Sequence, residues 1–154
     1  MFHIVLFQPE IPPNTGNAIR LCANTGFQLH LIEPLGFELD DAKLRRAGLD
    51  YHEWANVKVH PSFDHFLTTI KPNRWFALST RGQQRHDQQH YEIGDAFVFG
   101  PETRGLPQQM LDSLPIENRI RLPMLPGQRS LNLSNTIAII AYEAWRQMNF
   151  AGGH

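Results

Sequence analysis

Residues 3–26 read HIVLFQPEIPPNTGNAIRLCANTG, and the change of period inside this stretch decides the fold. His3 to Phe7 is a short β-branched and aromatic run, as expected of a buried strand. Gln8-Pro9 and Pro12-Pro13 then end it, because proline lacks the amide donor that a sheet ladder needs. Downstream, Ala18, Ile19, Leu21, Cys22 and Ala23 fall near helical spacing, with Asn14 or Thr15 as the expected cap and Gly26 as the stop. The stretch is therefore a strand, a loop and a helix.

The same unit recurs along the chain. Gln28 to Ile32 alternates like a second strand, and Asp40-Asp41 open a charged helix to about Ala47. Asn56 to His60 forms a further candidate strand. Ser62 caps a helical face made of Phe63, Phe66, Leu67 and Ile70, which ends before Pro72. Arg74 to Ser79 and Asp95 to Phe99 are strands by their β-branched and aromatic content and their turn-forming borders. Pro107 to Leu114 reads as a short helix, Ile120 to Leu122 as a short strand, and Leu131 to Met148 as the longest helix. Strands alternating with helices imply an α/β fold, a mainly parallel sheet flanked by helices, whose ligands bind beyond the carboxyl ends of the strands. At 154 residues, with neither a linker nor a repeat, the chain is expected to be one domain, residues 1–154.

Composition narrows the function classes. The single cysteine, Cys22, has no partner for a disulfide, which fits a reducing compartment, and it reads as a small core residue. No apolar stretch reaches the roughly 20 residues of a membrane span, and the first residues lack a basic leader. The expectation is a soluble, cytoplasmic protein with no membrane partner. Fourteen basic residues against fifteen acidic give a net charge of −1, so the total carries no nucleic-acid footprint. The distribution differs from the sum: segments 65–86 and 118–142 hold arginines and no acid, and Arg is far more frequent than Lys, as bidentate phosphate contacts favour. No phosphate-binding Gly-rich loop with its Lys follows the opening strand, and no GxGxxG is present. His86 and His90 have no third ligand in view, so they read as a solvated loop and no metal is expected.

Three loops at strand ends remain for chemistry: Asn14 to Asn17 with Arg20, FGPETRGLP at 99–107, and LPMLPGQRSLNLSN at 122–135. Gly100 and Gly105 let the backbone approach a ligand closely, while Pro101, Pro107, Pro123 and Pro126 stiffen the same loops. EIPPNTGNAIRLCANTGF, FGPETRGLP and IRLPMLPGQRSLNLSNTIAIIAYE, in this order and covering essentially the whole chain, resemble the SPOUT class of S-adenosylmethionine-dependent RNA methyltransferases, and within it the TrmL (YibK) family of tRNA 2′-O-methyltransferases.

The resemblance implies a C-terminal trefoil knot, a homodimer, and S-adenosylmethionine held at Leu78, Gly100, Leu122 and Ser130. In that reading the leucines wall the adenine, Gly100 leaves room for the ribose or methionine part, and Ser130 hydrogen-bonds the ligand. It also implies that Arg20 contacts the ribose hydroxyl or a neighbouring phosphate, with Asn14, Glu102 and Asn135 orienting Arg20, substrate or loops. The implied substrate is a tRNA anticodon loop, methylated on the 2′-oxygen of a wobble cytidine or modified uridine (5-carboxymethylaminomethyluridine) in leucine isoacceptors. A relative acting on another tRNA or rRNA position, and a non-catalytic RNA-binding protein keeping the same fold, are the competing readings.

Overall fold

A computed structural model describes residues 1–154. It opens on β1 (His3–Phe7), whose Ile4 and Leu6 share one apolar cluster with Ala18, Ile19 and Cys22 of the helix α1 (Pro12–Thr25) that follows the expected loop. The remaining elements are β2 (Gln28–Ile32), α2 (Asp41–Arg46), α3 (Tyr51–Trp54), β3 (Lys58–His60), α4 (Phe63–Ile70), β4 (Trp75–Leu78), β5 (Gln84–Arg85), β6 (Ala96–Phe99), α5 (Gln108–Asp112), β7 (Arg119–Arg121) and α6 (Leu133–Gln147). All strand pairs are parallel, and the seven strands lie in the order β3-β2-β1-β6-β4-β7-β5.

Alternation along each strand splits the core into two layers. Ile4 and Leu6 of β1 face Phe76, Phe97, Ile137 and Ile140 on the side covered by α1 and α6, while Val5 faces Phe66, Ala77, Val98 and Leu111 on the side covered by α4 and α5. All four residues of β6 are buried, which is why its apolar run is continuous. On the second face three strands contribute histidines that bond in series: His3 Nδ1 to His30 Nε2 at 2.9 Å, His30 Nδ1 to His60 Nε2 at 2.9 Å, and His60 Nδ1 to His65 Nδ1 of α4 at 3.0 Å. Phe66 lies edge-on to three of these rings.

Two caps are the expected ones. Asp40 accepts from the Lys43 amide at 2.8 Å and Ser62 from the His65 amide at 3.0 Å. The cap of α1 is not: neither Asn14 nor Thr15 caps it, because the helix already begins at Pro12 and Pro13, whose missing or unneeded amides suit its first turn. The strand expected at 56–60 is shorter, α6 starts at Leu133 behind an Asn132 cap rather than at Leu131, and α3 and β5 were not expected.

The last strand has an unusual place. β7 lies between β4 and β5, although those two are joined only by residues 79–83. That bridge is bonded to the strand it crosses, Ser79 N–H donating to Ile120 O and Gln83 N–H to Arg119 O, each at 3.1 Å. Gly82 is required there, since a Cβ would lie within 3.0 Å of the Arg119 and Ile120 carbonyls. The chain leaving β7 therefore starts from between two strands whose connection spans it.

Candidate active site

A cavity of about 600 Å³ opens beyond the carboxyl ends of β4, β6 and β7. Its walls come from residues 78–81, 99–106, 121, 122, 124, 130–133 and 136, together with Ile11 and Asn14. Leu78, Gly100, Leu122 and Ser130, the four residues expected to hold a cofactor, all line it, as do Asn14 and Glu102. Its size falls within the roughly 300–1,000 Å³ of small-molecule sites. Apolar residues such as Leu78, Leu122 and Met124 share its lining with polar ones such as Ser79, Thr103 and Asn132, a mixture usual for small-molecule sites.

Gly100 lacks a side chain for a reason other than the one expected. A Cβ there would come within 3.0 Å of the Gly105 and Leu106 backbone, so the space is taken by the chain's own return turn. That turn is closed by the Gly105 amide donating to Pro101 O at 2.9 Å.

Glu102 performs the capping that α1 cannot provide for itself. Its carboxylate accepts the amides of Glu10 at 2.8 Å and Ile11 at 2.7 Å and the Asn14 Nδ2–H at 3.2 Å. A negative charge thus sits on the orphan donors at the positive end of the helix. In return Glu10 accepts from Thr103, through its amide at 3.0 Å and its hydroxyl at 2.8 Å, and these bonds hold the Glu10 carboxyl below its ordinary range. Asn14, only 4% exposed, is oriented by Glu102 at the edge of the cavity.

The other two expected residues stand elsewhere. Asn135 is exposed in the first turn of α6 and outside the lining, where its neighbours Asn132, Leu133 and Thr136 lie. Arg20 lines a second cavity of about 450 Å³ beside α1, with Thr15, Phe37, Lys43 and Leu49. Its guanidinium donates to the Glu53 carboxylate at 2.9 and 3.3 Å and to Gly48 O at 2.5 Å. This pairing raises the Arg20 pKa further and pulls Glu53 below the usual carboxylate range.

Sequence reasoning missed Glu10 as part of this region, whereas Thr103 and Arg104 lie in the expected 99–107 loop and Arg81 and Arg121 in the two acid-free segments. Arg81, Arg104 and Arg121 all line the cavity, so the two acid-free segments meet at one mouth and a third cation joins them. Charge distribution was the signal for two of the three. Cys22 is buried, its thiol pushed up to about 12 by burial, as befits a core residue.

Comparison with known proteins agrees with this geometry. The model of the SpoU rRNA methylase family matches residues 1–142. A protein of Aeromonas hydrophila named tRNA (cytidine(34)-2′-O)-methyltransferase is 59% identical over 152 residues, covering 99% of this chain and 97% of that one. A solved structure described as giving insights into the 2-OH methylation of C/U34 on tRNA superimposes with a TM-score of 0.88 at 44% identity, covering 97% of each chain. The fold alone extends to the SpoU methyltransferase AviRb of Streptomyces viridochromogenes, solved in complex with AdoMet, at TM-score 0.79 and 20% identity over 99% of this chain and 58% of that one. With the family model spanning most of its length and a full-length relative at such identity, the chain belongs to the SpoU methylase family.

Proposed function

We propose that this protein transfers a methyl group from S-adenosylmethionine to the ribose 2′-oxygen of nucleotide 34 in a tRNA, on cytidine or a modified uridine of leucine isoacceptors. The observation that carries the reading is the convergence of Leu78, Gly100, Leu122 and Ser130 on one cavity that also holds Asn14 and Glu102. The whole chain, residues 1–154, acts as one domain, and the insertion of β7 under the 79–83 bridge supports reading the C-terminal part as a trefoil knot. No helix is long and apolar enough to cross a membrane, consistent with a cytoplasmic enzyme working on RNA.

S-adenosylmethionine supplies an electrophilic methyl on a sulfonium centre. The chain's part is to hold that donor in the cavity and to make a weakly acidic hydroxyl attack in line. Leu78 and Leu122 close the apolar side, the loop backbone offers donors and acceptors, and Ser130 offers a hydroxyl. No metal is assigned a role. Positioning supplies most of the acceleration in such a transfer. Arg20 cannot act as a base, since its guanidinium stays protonated, so it serves by stabilising the developing alkoxide. Arg81, Arg104 and Arg121 at the cavity meet the phosphates of a loop whose unstacked bases are accessible.

A homodimer completes the reading. α6 lies against α1 yet leaves Ile139 and Tyr142 exposed, with Leu131 and Leu125 exposed on the loop before it. These residues form an apolar surface that a second copy would cover. A site shared between two copies reconciles the place of Arg20 outside the cavity with its role at the hydroxyl.

The test is methylation of total tRNA with labelled S-adenosylmethionine, followed by nucleoside mapping. Label on the ribose of nucleotide 34 is expected. Binding of tRNA without transfer would favour a non-catalytic RNA-binding protein, and label at another position would overturn the substrate assignment.

A further inference from the structure

Glu10 lies outside the cavity, yet three hydrogen bonds tie it to Glu102 and Thr103 of the cavity wall. We infer that Glu10 is a positioning residue for cofactor binding: by holding Thr103 it fixes the 101–104 turn, which forms one wall of the site. The inference rests on reading the cavity as the S-adenosylmethionine site.

Segment 10–11 leads into α1 and segment 102–103 follows β6, and four bonds join them crosswise. Glu102 accepts from the amides of Glu10 and Ile11, while Glu10 accepts from the amide and hydroxyl of Thr103. Each carboxylate therefore satisfies backbone donors of the other's loop. Two adjacent negative charges would separate these loops if left unpaired, and the four donors with Arg104 nearby offset that repulsion.

The backbone of Glu10 is confined from the other side as well. Gly36 packs so closely that a Cβ there would lie 2.9 Å from Glu10 Cα, and the Gly36 amide donates to Pro9 O at 2.9 Å. The stem of Glu10 is therefore held on both sides, and its carboxylate reaches Thr103 from a confined backbone. Thr103, which it bonds, and Arg104, whose charge acts on it, both line the cavity. Glu10 never meets the ligand. Its influence passes through the wall.

The experiment compares wild type with Glu10→Ala, Glu10→Gln and Thr103→Val, measuring S-adenosylmethionine affinity by calorimetry, kcat and KM for tRNA, and melting temperature. Glu10→Ala is expected to raise the cofactor Kd about tenfold, the worth of one or two hydrogen bonds. Glu10→Gln keeps an acceptor oxygen and should stay within about threefold of wild type, while Thr103→Val, which loses only the hydroxyl bond, should weaken binding about threefold. Combining Glu10→Ala with Thr103→Val should add little to Glu10→Ala alone, because both act through one contact.

A folded Glu10→Ala protein with wild-type affinity would overturn the inference, and so would a loss that Glu10→Gln fails to rescue. Should Glu10→Ala not fold, Thr103→Val carries the test, and an unchanged Kd there overturns it. If wild type itself binds no S-adenosylmethionine, it is the reading of the cavity that fails, not the role of Glu10 within it.

Discussion

Replacing Gly100 by alanine tests whether the turn after β6 is shaped by its own backbone. The added methyl would sit within 3.0 Å of Gly105 and Leu106 backbone atoms, which cannot rotate aside as a side chain could. Relief requires moving the 101–106 turn and weakening the Gly105 amide bond to Pro101 O. Overpacking costs about 1–3 kcal/mol and a lost backbone bond about 1 kcal/mol, so a total near 3 kcal/mol is expected. For a domain of this size that corresponds to a melting temperature lower by roughly 6–12 °C. Gly105→Ala is the control. It meets no atom within 4 Å but would hold an alanine at φ +69°, a strain of about 1–2 kcal/mol. Thermal melts followed by circular dichroism should therefore rank Gly100→Ala below Gly105→Ala. Since the turn lines the cavity, calorimetry should also show weaker S-adenosylmethionine binding in Gly100→Ala. A Gly100→Ala melt within about 1 °C of wild type, or the reverse ranking, would refute the reasoning.

Arg20→Ala should lower methyl transfer at least about a hundredfold while leaving cofactor affinity near wild type; undiminished turnover by radiolabel assay would remove Arg20 from the chemistry. Stability should fall with acidification: burial holds His3 and His60 below their ordinary value and His30 down to about 3, so below about pH 6.5 the unfolded chain binds more protons than the native one. The contribution is fully present above that pH and is lost progressively as pH falls towards 3, and a urea midpoint that rises between pH 7 and 5 would contradict it. Cys22 should resist Ellman's reagent at pH 8 in the native protein and react at once in denaturant, because its thiol is buried and pushed up to about 12.

What could be read in advance follows from how local each cause is. β1, β4 and β6 declare themselves because burial on both faces demands consecutive apolar residues, β2 by its alternation, and α4 because Ser62 and Phe66 mark its cap and its inner face. β5 is two polar residues, Gln84 and Arg85, whose strand character comes wholly from pairing with β7, so nothing in their side chains announces it. The cap of α1 was misread for a similar reason. Its partner, Glu102, lies 91 residues away, beyond any local rule. At the site, Gly100, Pro101 and Gly105 lie in the cavity wall while Pro107, Pro123 and Pro126 do not, and of the residues the resemblance named, Leu78, Gly100, Leu122, Ser130, Asn14 and Glu102 meet there while Arg20 and Asn135 do not. The function of Gly100 as a seat for its own chain, and the separate place of Arg20, depend on distances that exist only after folding.

The cavity walls draw on residues from Ile11 to Thr136, and the strand that closes them, β7, comes after more than two thirds of the chain. During synthesis, then, no nascent fragment offers a methyl donor anything to hold. The ligand cannot template early assembly, and a chain interrupted before α6 keeps its strands but leaves one apolar layer partly unroofed, a species for chaperones or proteases rather than a partly active enzyme.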